Sequence, residues 1–446
     1  MNRVLHESAV VREAAMRPMG RPGRVWWLIA LPLAALVALA VFAWLVQLKE
    51  GLGVTGLSQR VSWGFYISNL VFFIGISYGG ALTSAILRLT GAPWRAPLTR
   101  MAEATAVSAL LVGAVFPIVD LGRPDRFLNV ILHGQVGSPV VWDVVAISTY
   151  LAASSIFLVL PLIPDAAVCR DDPDVSRGRL RSKLYRLVAL GWTGDPEQRR
   201  TLNQSLTVIA IVIIPLAISV HSVLAWLFGV TVRPGWDSTI FAPYFVLGAM
   251  LSGVGAVVLV LAAFRRAYHL EAEIQVKHFR YLGYILLALA AGYLYFMVSE
   301  YLTEGYKMHQ DTGPLLQLLM LGRLAPFFWL FVFGGLLLPM VIVAVPATRN
   351  IPGITLASLA VVLGMWLKRF LIVVPGLAEP LLPSRLTVYY PSWVEIAITL
   401  GAAAAIPLML MLFFRLFPVL SIYEMEEVAE EARTAELQAS PAHGGA

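Results

Sequence analysis

Ten long apolar segments recur along the chain, and they restrict its fold more than any other feature. A segment of roughly 20 apolar residues spans the hydrocarbon core of a bilayer, which is about 30 Å thick. Transmembrane β-strands would alternate in units of roughly ten residues, whereas these segments are apolar on every side. The sequence therefore predicts an all-α polytopic membrane protein with about ten transmembrane helices, at 25–48, 65–88, 101–121, 141–162, 205–231, 240–264, 281–303, 324–346, 351–374 and 393–417.

The composition agrees with a membrane protein. Of the 446 residues, 59% are hydrophobic and 13% are charged, and the mean hydropathy is +0.77. Soluble domains have about a quarter of their residues charged. The predicted organisation is an N-terminal segment (1–24), a ten-helix membrane domain (25–417) that includes a long basic loop (163–204), and an acidic tail (418–446).

The distribution of Lys and Arg predicts the orientation. The first apolar segment is longer than the 7–15 residues of a signal peptide, so we expect it to remain as a helix. Most of the 33 basic residues flank the side that carries the termini, which places both termini in the cytoplasm of a bacterium, at its inner membrane. The net charge of +6 suits anionic lipids, not nucleic acid. Within the long loop, 178–192 alternates leucines with basic residues and is predicted to lie on the membrane surface.

Residues that could bind redox cofactors are scarce. The only cysteine is Cys169, whereas an iron–sulfur cluster typically takes four thiolates. A haem held across a helical bundle needs two embedded histidines, and only His221 falls well inside a predicted helix. We therefore expect no haem, no iron–sulfur cluster and no metal site in this chain.

Ionisable residues concentrate toward the predicted outer face. Such residues in membrane helices are costly and often functional, and they could hydrogen-bond a quinol head group and accept its protons. For each residue a structural role is an alternative: helix ends often carry anchoring charges, Asp143 could cap its helix, and His221 could be a core histidine. The group comprises Asp120, Asp143, His221, Glu300, Glu304, Lys368, Arg369 and Glu395.

The two halves of the membrane domain resemble each other. "ISNLVFFIGISYGG" and "APYFVLGAMLSGVG" share an aromatic-then-small pattern, and His221 in helix 5 corresponds to Arg369 in helix 9. The small residues allow close helix contact. We therefore predict two four-helix bundles, helices 2–5 and 6–9, with helices 1 and 10 at the flanks.

Six stretches of the sequence match a known pattern. They are "WGFYISNLVFFIGISYGGALTSAIL", "RMAEAT", "DLGRP", "SPVVWDVVAISTYL", "SVHSVLAWLFGVTVRPGWDSTIFAPYFVLGAMLSG" and "MVSEYLTEGY". They resemble the polysulfide reductase membrane-subunit family, also called NrfD-like or PsrC-like, and are most similar to the large membrane subunits of alternative complex III. The resemblance implies oxidation of menaquinol or ubiquinol near the periplasmic face, with electrons passing to an iron–sulfur subunit docked there and then to c-type haem subunits, beside a second NrfD-like membrane subunit.

The resemblance also implies site residues. The predicted catalytic residues are Asp120, Asp143 and His221, and the predicted quinol-binding residues add Arg123, Arg369 and Tyr78. Three positions depart from the family pattern: Asp120 replaces a common histidine before "LGRP", Leu227 replaces an acidic residue, and Tyr78 replaces a histidine. Four alternatives therefore stay open, namely a quinol-silent copy, a structural or proton-conducting subunit, a molybdoenzyme anchor and a small-molecule or ion transporter.

Overall fold

Ten helices that are long and apolar enough to cross a membrane make up most of the described part of the molecule, as the sequence predicts. The computed structural model describes residues 10–231, 233–308, 312–379 and 388–439, and these ranges contain helices and no strands. The ten helices long and apolar enough to cross a membrane are α1 (Arg24–Glu50), α2 (Phe65–Leu89), α3 (Ala96–Asp120), α4 (Pro139–Val159), α5 (Pro196–Gly229), α6 (Phe241–Ala267), α7 (Val276–Lys307), α8 (Ala325–Ala344), α9 (Ile351–Ala378) and α10 (Trp393–Leu416).

Several helices begin before their predicted apolar segments, and α3, α5 and α7 do so by five residues or more. The segment predicted at 205–231 belongs to α5, which starts at Pro196, and the segment predicted at 281–303 belongs to α7, which starts at Val276. The additional part of α5 reads "PEQRRTLNQ", about two and a half turns, and is polar, with the proline in the first helical position. Proline is favoured there because that position needs no backbone N–H donor. Hydropathy marks only the part of a helix inside lipid, so it misses such extensions.

Successive helices cross in alternate directions, so the molecule has two faces. The face that carries the loop between α3 and α4 (121–138) is called the distal face. The opposite face carries both ends of the membrane domain and is called the terminal face. The distal face is the predicted periplasmic side, and the terminal face is the predicted cytoplasmic side.

Helix α2 is the centre of the packing. It packs against α3, α5, α6 and α9, while α4 closes against α3 and α5. On the other side α6 packs against α7 and α9, and α8 packs against α7 and α9. Helices α1 and α10 pack together at the flank. At the α2–α6 contact a Cβ added to Gly79 would lie 2.4 Å from the Gly253 Cα, so these backbones touch because neither residue has a side chain.

The acidic tail forms a helix, Ile422–Ala439, whose first turns dock on the terminal face. Glu424 pairs with Arg88 at 2.9 Å, and both side chains are buried. A second buried pair, Arg100 with Asp165 at 2.8 Å, lies beside it. The Asp165 carboxylate also accepts the backbone N–H groups of Ile422 and Tyr423. The start of the tail is therefore fixed to its own membrane domain.

The basic loop forms two short helices, Leu162–Asp171 and Arg179–Val188. In the second, Leu180 and Leu187 are 84% and 72% exposed. The Tyr185 hydroxyl holds this helix to the membrane domain by donating to the Leu416 carbonyl at 2.8 Å. Exposed leucines beside basic residues suit a helix lying on a lipid surface.

Candidate functional site

A histidine and a tyrosine meet in the centre of the helix packing. His221 of α5 is fully buried, and the edge of its ring meets the ring of Tyr78 on α2, with ring centroids 4.7 Å apart. Neither His221 ring nitrogen has a hydrogen-bond partner among the described residues, although the Ala217 carbonyl lies nearby, and the Tyr78 hydroxyl has none either. Buried polar atoms are nearly always hydrogen-bonded in folded proteins. Apart from the nearby Ala217 carbonyl, the described residues therefore offer these three atoms no partner in normal geometry.

A buried arginine on α9 faces the same group. The Arg369 guanidinium lies over the Phe245 ring, 4.6 Å from its centroid, and Nη2 donates to the Phe245 carbonyl at 3.4 Å. Its Nη1 has no partner among the described residues, and its charge acts on His221. Gly248 of α6 leaves room for the Arg369 guanidinium, because a Cβ at this position would lie 2.8 Å from Nη2.

Asp143 lies nearer the distal face than this group. It is buried near the start of α4, and its Oδ1 has no partner among the described residues. Seven residues further along α4, the Tyr150 hydroxyl donates to the Ser77 carbonyl of α2 at 3.2 Å. Residues seven apart share a helix face and differ in height by about 10 Å. Asp143 therefore points into the packing above Tyr150, toward the distal face.

Asp120 and Arg123 lie elsewhere. Asp120 is half-buried at the end of α3, where its neighbours include Tyr66 and Glu395. Tyr66 is twelve residues from Tyr78 on the same helix, a rise of about 18 Å. Arg123 is 64% exposed and lies 3.7 Å from Asp125. The structure thus brings together Tyr78, His221 and Arg369, but it does not bring Asp120 and Arg123 to them.

A second buried polar group contains Lys368 and Glu300, which the sequence places among the outer-face ionisable residues but not among the predicted quinol-binding residues. Lys368 of α9 is buried, and its Nζ donates to the Tyr301 hydroxyl of α7 at 2.7 Å. Tyr244 and Tyr293 stack with ring centroids 4.4 Å apart between this group and Arg369. Glu300 is buried nearby. The sequence signal for this second group is the consecutive pair Lys368 and Arg369 inside an apolar helix. Adjacent residues of a helix point in different directions, so the two side chains enter two different environments.

The chemistry of the His221 group suits a polar organic head group. Within the described part of the chain, no three histidine, cysteine, aspartate or glutamate side chains cluster as metal ligands. A neutral imidazole offers one donor and one acceptor, a phenol offers both, and a guanidinium offers donors only. Together these residues can hydrogen-bond two oxygens of a ring and balance negative charge that develops on it.

Known proteins resemble this chain along almost its whole length. The family pattern described as polysulphide reductase, NrfD, matches residues 53–380. A protein of Halobacterium salinarum, provisionally named as a membrane subunit of dimethyl sulfoxide reductase, is 26% identical over 93% of this chain and 95% of its own length. A selenate reductase subunit of Mesobacillus selenatarsenatis is 25% identical over 87% and 93%. The Hdr-like menaquinol oxidoreductase integral membrane subunit of Archaeoglobus fulgidus is 24% identical over 91% and 96%.

Proposed function

Because this chain belongs to the polysulphide reductase NrfD family, we propose that it is the quinol-binding membrane subunit of a multisubunit oxidoreductase. The His221, Tyr78 and Arg369 group holds the quinol head group by hydrogen bonds. Asp143 accepts a proton on the distal side of that group. Quinol oxidation yields the quinone, two electrons and two protons, and the electrons pass to an iron–sulfur subunit docked on the distal face.

The observation that carries this proposal is the set of buried polar atoms without partners on three different helices. Leaving such an atom unpaired costs about 1–3 kcal/mol, so the His221 ring, the Tyr78 hydroxyl and the Arg369 Nη1 favour a ligand or ordered water between α2, α5 and α9. A relative named as a menaquinol oxidoreductase membrane subunit supports menaquinol as the ligand.

The electron acceptor has two candidates. The relatives named as subunits of dimethyl sulfoxide and selenate reductases support a terminal reductase partner of the molybdoenzyme type. The resemblance to alternative complex III supports c-type haem subunits and a second NrfD-like subunit. Purification of the complex from its native membrane distinguishes them, since a co-purifying c-haem absorbance band supports the second partner set.

Removal of the proposed hydrogen bonds tests the function. In the purified complex, His221→Gln and Tyr78→Phe should each lower kcat/KM for quinol oxidation by about tenfold to a hundredfold, the effect of losing one or two hydrogen bonds of about 1.5 kcal/mol. Steady-state reduction of an artificial electron acceptor measures this loss, and quinone content after extraction measures binding.

Matched substitutions outside the group provide the control. His133 and Tyr295 are exposed, so His133→Gln and Tyr295→Phe should leave both measurements unchanged. If His221→Gln and Tyr78→Phe assemble and turn over quinol like these controls, the group does not bind quinol. A structural or proton-conducting role would then replace the proposal.

A further inference from the structure

A second ionisable site lies beside the proposed quinol group. Lys368 and Arg369 are consecutive on α9 and both are buried. Arg369 faces Phe245 and the His221 group, whereas Lys368 lies among the rings of Tyr244, Tyr301 and Phe331. Adjacent residues point about 100° apart around a helix. Helix α9 therefore presents the Arg369 cation to the His221 group and the Lys368 cation to a neighbouring group of aromatic rings.

Lys368 and Glu300 are close but not in direct contact. The charges of the two groups act on each other, yet the Lys368 hydrogen bond goes to the Tyr301 hydroxyl and Glu300 Oε2 has no partner among the described residues. A cavity of about 30 Å³ is lined by Glu300, Tyr301 and Lys368. One water needs about 10–15 Å³ of such volume, so the cavity has room for about two waters and is too small for a quinol ring.

Water in this cavity would satisfy both groups. An ammonium has three N–H donors, and one of those on Lys368 is used by Tyr301. A water between Lys368 Nζ and Glu300 Oε2 would give both a partner at the polar side of a cavity whose remaining lining is largely apolar. Glu300 lies one turn from Glu304, which is half-buried near the distal end of α7 and lies 4.0 Å from Lys307. The exposed Asp237 also acts on Glu300 from the α5–α6 loop.

A row of polar side chains joins this cavity to the His221 group. Tyr293 lies beside Arg369 at Gly248 and stacks on Tyr244. The Lys368 Nζ lies 5.5 Å from the Tyr244 ring centroid. Neither the Tyr244 nor the Tyr293 hydroxyl has a hydrogen-bond partner within normal geometry among the described residues. The two hydroxyls lie close enough to act on each other, and this adjacent pair lies between the proposed quinol group and the water-sized cavity.

We propose that Glu300 and Lys368 form a water-bridged protonatable site that carries a proton from the His221 group to the distal face through α6, α7 and α9. The quinol-linked part of this proposal rests on the proposed function. When quinol gives two electrons to the iron–sulfur partner, one of its two protons passes along the Tyr293 and Tyr244 hydroxyls and the bridging water. The Glu300 carboxylate accepts that proton as a carboxyl O–H and then releases it past Glu304.

The first test needs no turnover. Infrared difference spectra of the purified complex, recorded between about pH 5 and about pH 9 where buried carboxyls can titrate, should contain a protonated-carboxyl band that Glu300→Gln removes. The matched substitution Glu50→Gln, at an exposed helix end on the same face, should keep the band. If wild type and Glu300→Gln give the same spectra, Glu300 is not a protonatable site and the proposal is wrong.

The second test measures coupling to quinol. Glu300→Gln should keep bound quinone and an unchanged KM, while kcat and the rate of proton release fall by at least about tenfold, a modest share of what positioned proton transfer contributes. Glu300→Asp retains a carboxyl group and should recover much of the rate. Wild-type kcat in Glu300→Gln, or equal losses in both variants with normal assembly, would overturn the proton route. If the infrared band is present but wild type does not oxidise quinol, the proposed function fails and the protonatable site stands.

Discussion

The burial of the Asp143 side chain decides between two possible roles for this residue, proton acceptor and helix cap. Its carboxylate is buried near the distal end of α4, and Oδ1 has no partner among the described residues. Its place near the helix N-terminus stabilises an anion, so capping alone would account for an aspartate there. An unpaired and buried oxygen is harder to explain by capping, because a carboxylate that only caps a helix accepts backbone N–H groups. The N-cap of this helix is Ser138, five residues before Asp143, and its side chain makes no cap hydrogen bond.

A neutral replacement distinguishes these two roles. Asp143→Asn keeps the shape but removes the proton acceptor, so quinol-dependent electron transfer should fall by about a hundredfold, the typical contribution of a positioned base. Assembly, measured by co-purification, should be unaffected. Asp125→Asn is the control, because Asp125 is 64% exposed on the same face. Normal turnover in Asp143→Asn would leave this residue with a structural role only.

At the scale of helices, the α2–α6 contact determines whether His221 and Arg369 can be neighbours. A Cβ on Gly253 would lie 2.3 Å from the Gly79 Cα. The contact lies one residue from Tyr78 on α2, and Gly248, which makes space for Arg369, is five residues away on α6. Close backbones therefore bring α5 and α9 near enough for His221 and Arg369 to act on each other.

A single methyl group at this contact should be costly. Gly253→Ala forces two helix backbones apart, so we expect a loss of about 1–3 kcal/mol, the usual range for overpacking a core. The midpoint of thermal unfolding in detergent measures it. Gly305→Ala on α7 is the matched control, since the nearest atom to its new Cβ would be 4.0 Å away. Equal unfolding midpoints for the two variants would contradict close packing of α2 on α6.

At the scale of the whole molecule, the direction of proton and electron release depends on which face is periplasmic. The distal face carries Asp120, the start of α4 and the ends of α7 and α9. The terminal face carries most of the Lys and Arg residues and the docked tail helix. The excess of basic residues predicts that the terminal face is cytoplasmic, and the protons of the proposed quinol oxidation would then leave on the periplasmic side.

Cysteine labelling of intact cells tests this orientation. Gln135→Cys on the distal face should react with a membrane-impermeant maleimide, and Arg177→Cys on the terminal face should react only after permeabilisation. Both positions are exposed. The native Cys169 should stay silent, because its thiol is buried and that burial raises its pKa to about 12, which leaves almost no reactive thiolate at neutral pH. The reverse labelling pattern would show that the molecule has the opposite orientation in the membrane.

Apolar length by itself determined the fold class and the number of membrane helices, because a bilayer requires about 20 apolar residues per crossing and satisfied backbone hydrogen bonds within each helix. All ten predicted segments are helices. The chain also indicated that polar groups are enriched toward one face, and its motifs indicated the NrfD family, which the family pattern matched at residues 53–380 confirms.

Only the tertiary structure decided which polar groups meet. Sequence treated Asp120, Asp143, His221 and Arg369 as one set, but position along a helix does not give its rotation or its neighbours. Close contact at glycines fixes the rotation and the neighbours of each helix. As a result Tyr78, His221 and Arg369 converge. Asp120 lies instead with Tyr66 and Glu395. The same packing turns Lys368 away from Arg369 toward Tyr301. Hydrophobicity sets how many helices cross the membrane, and the fit of their surfaces sets which side chains share an environment.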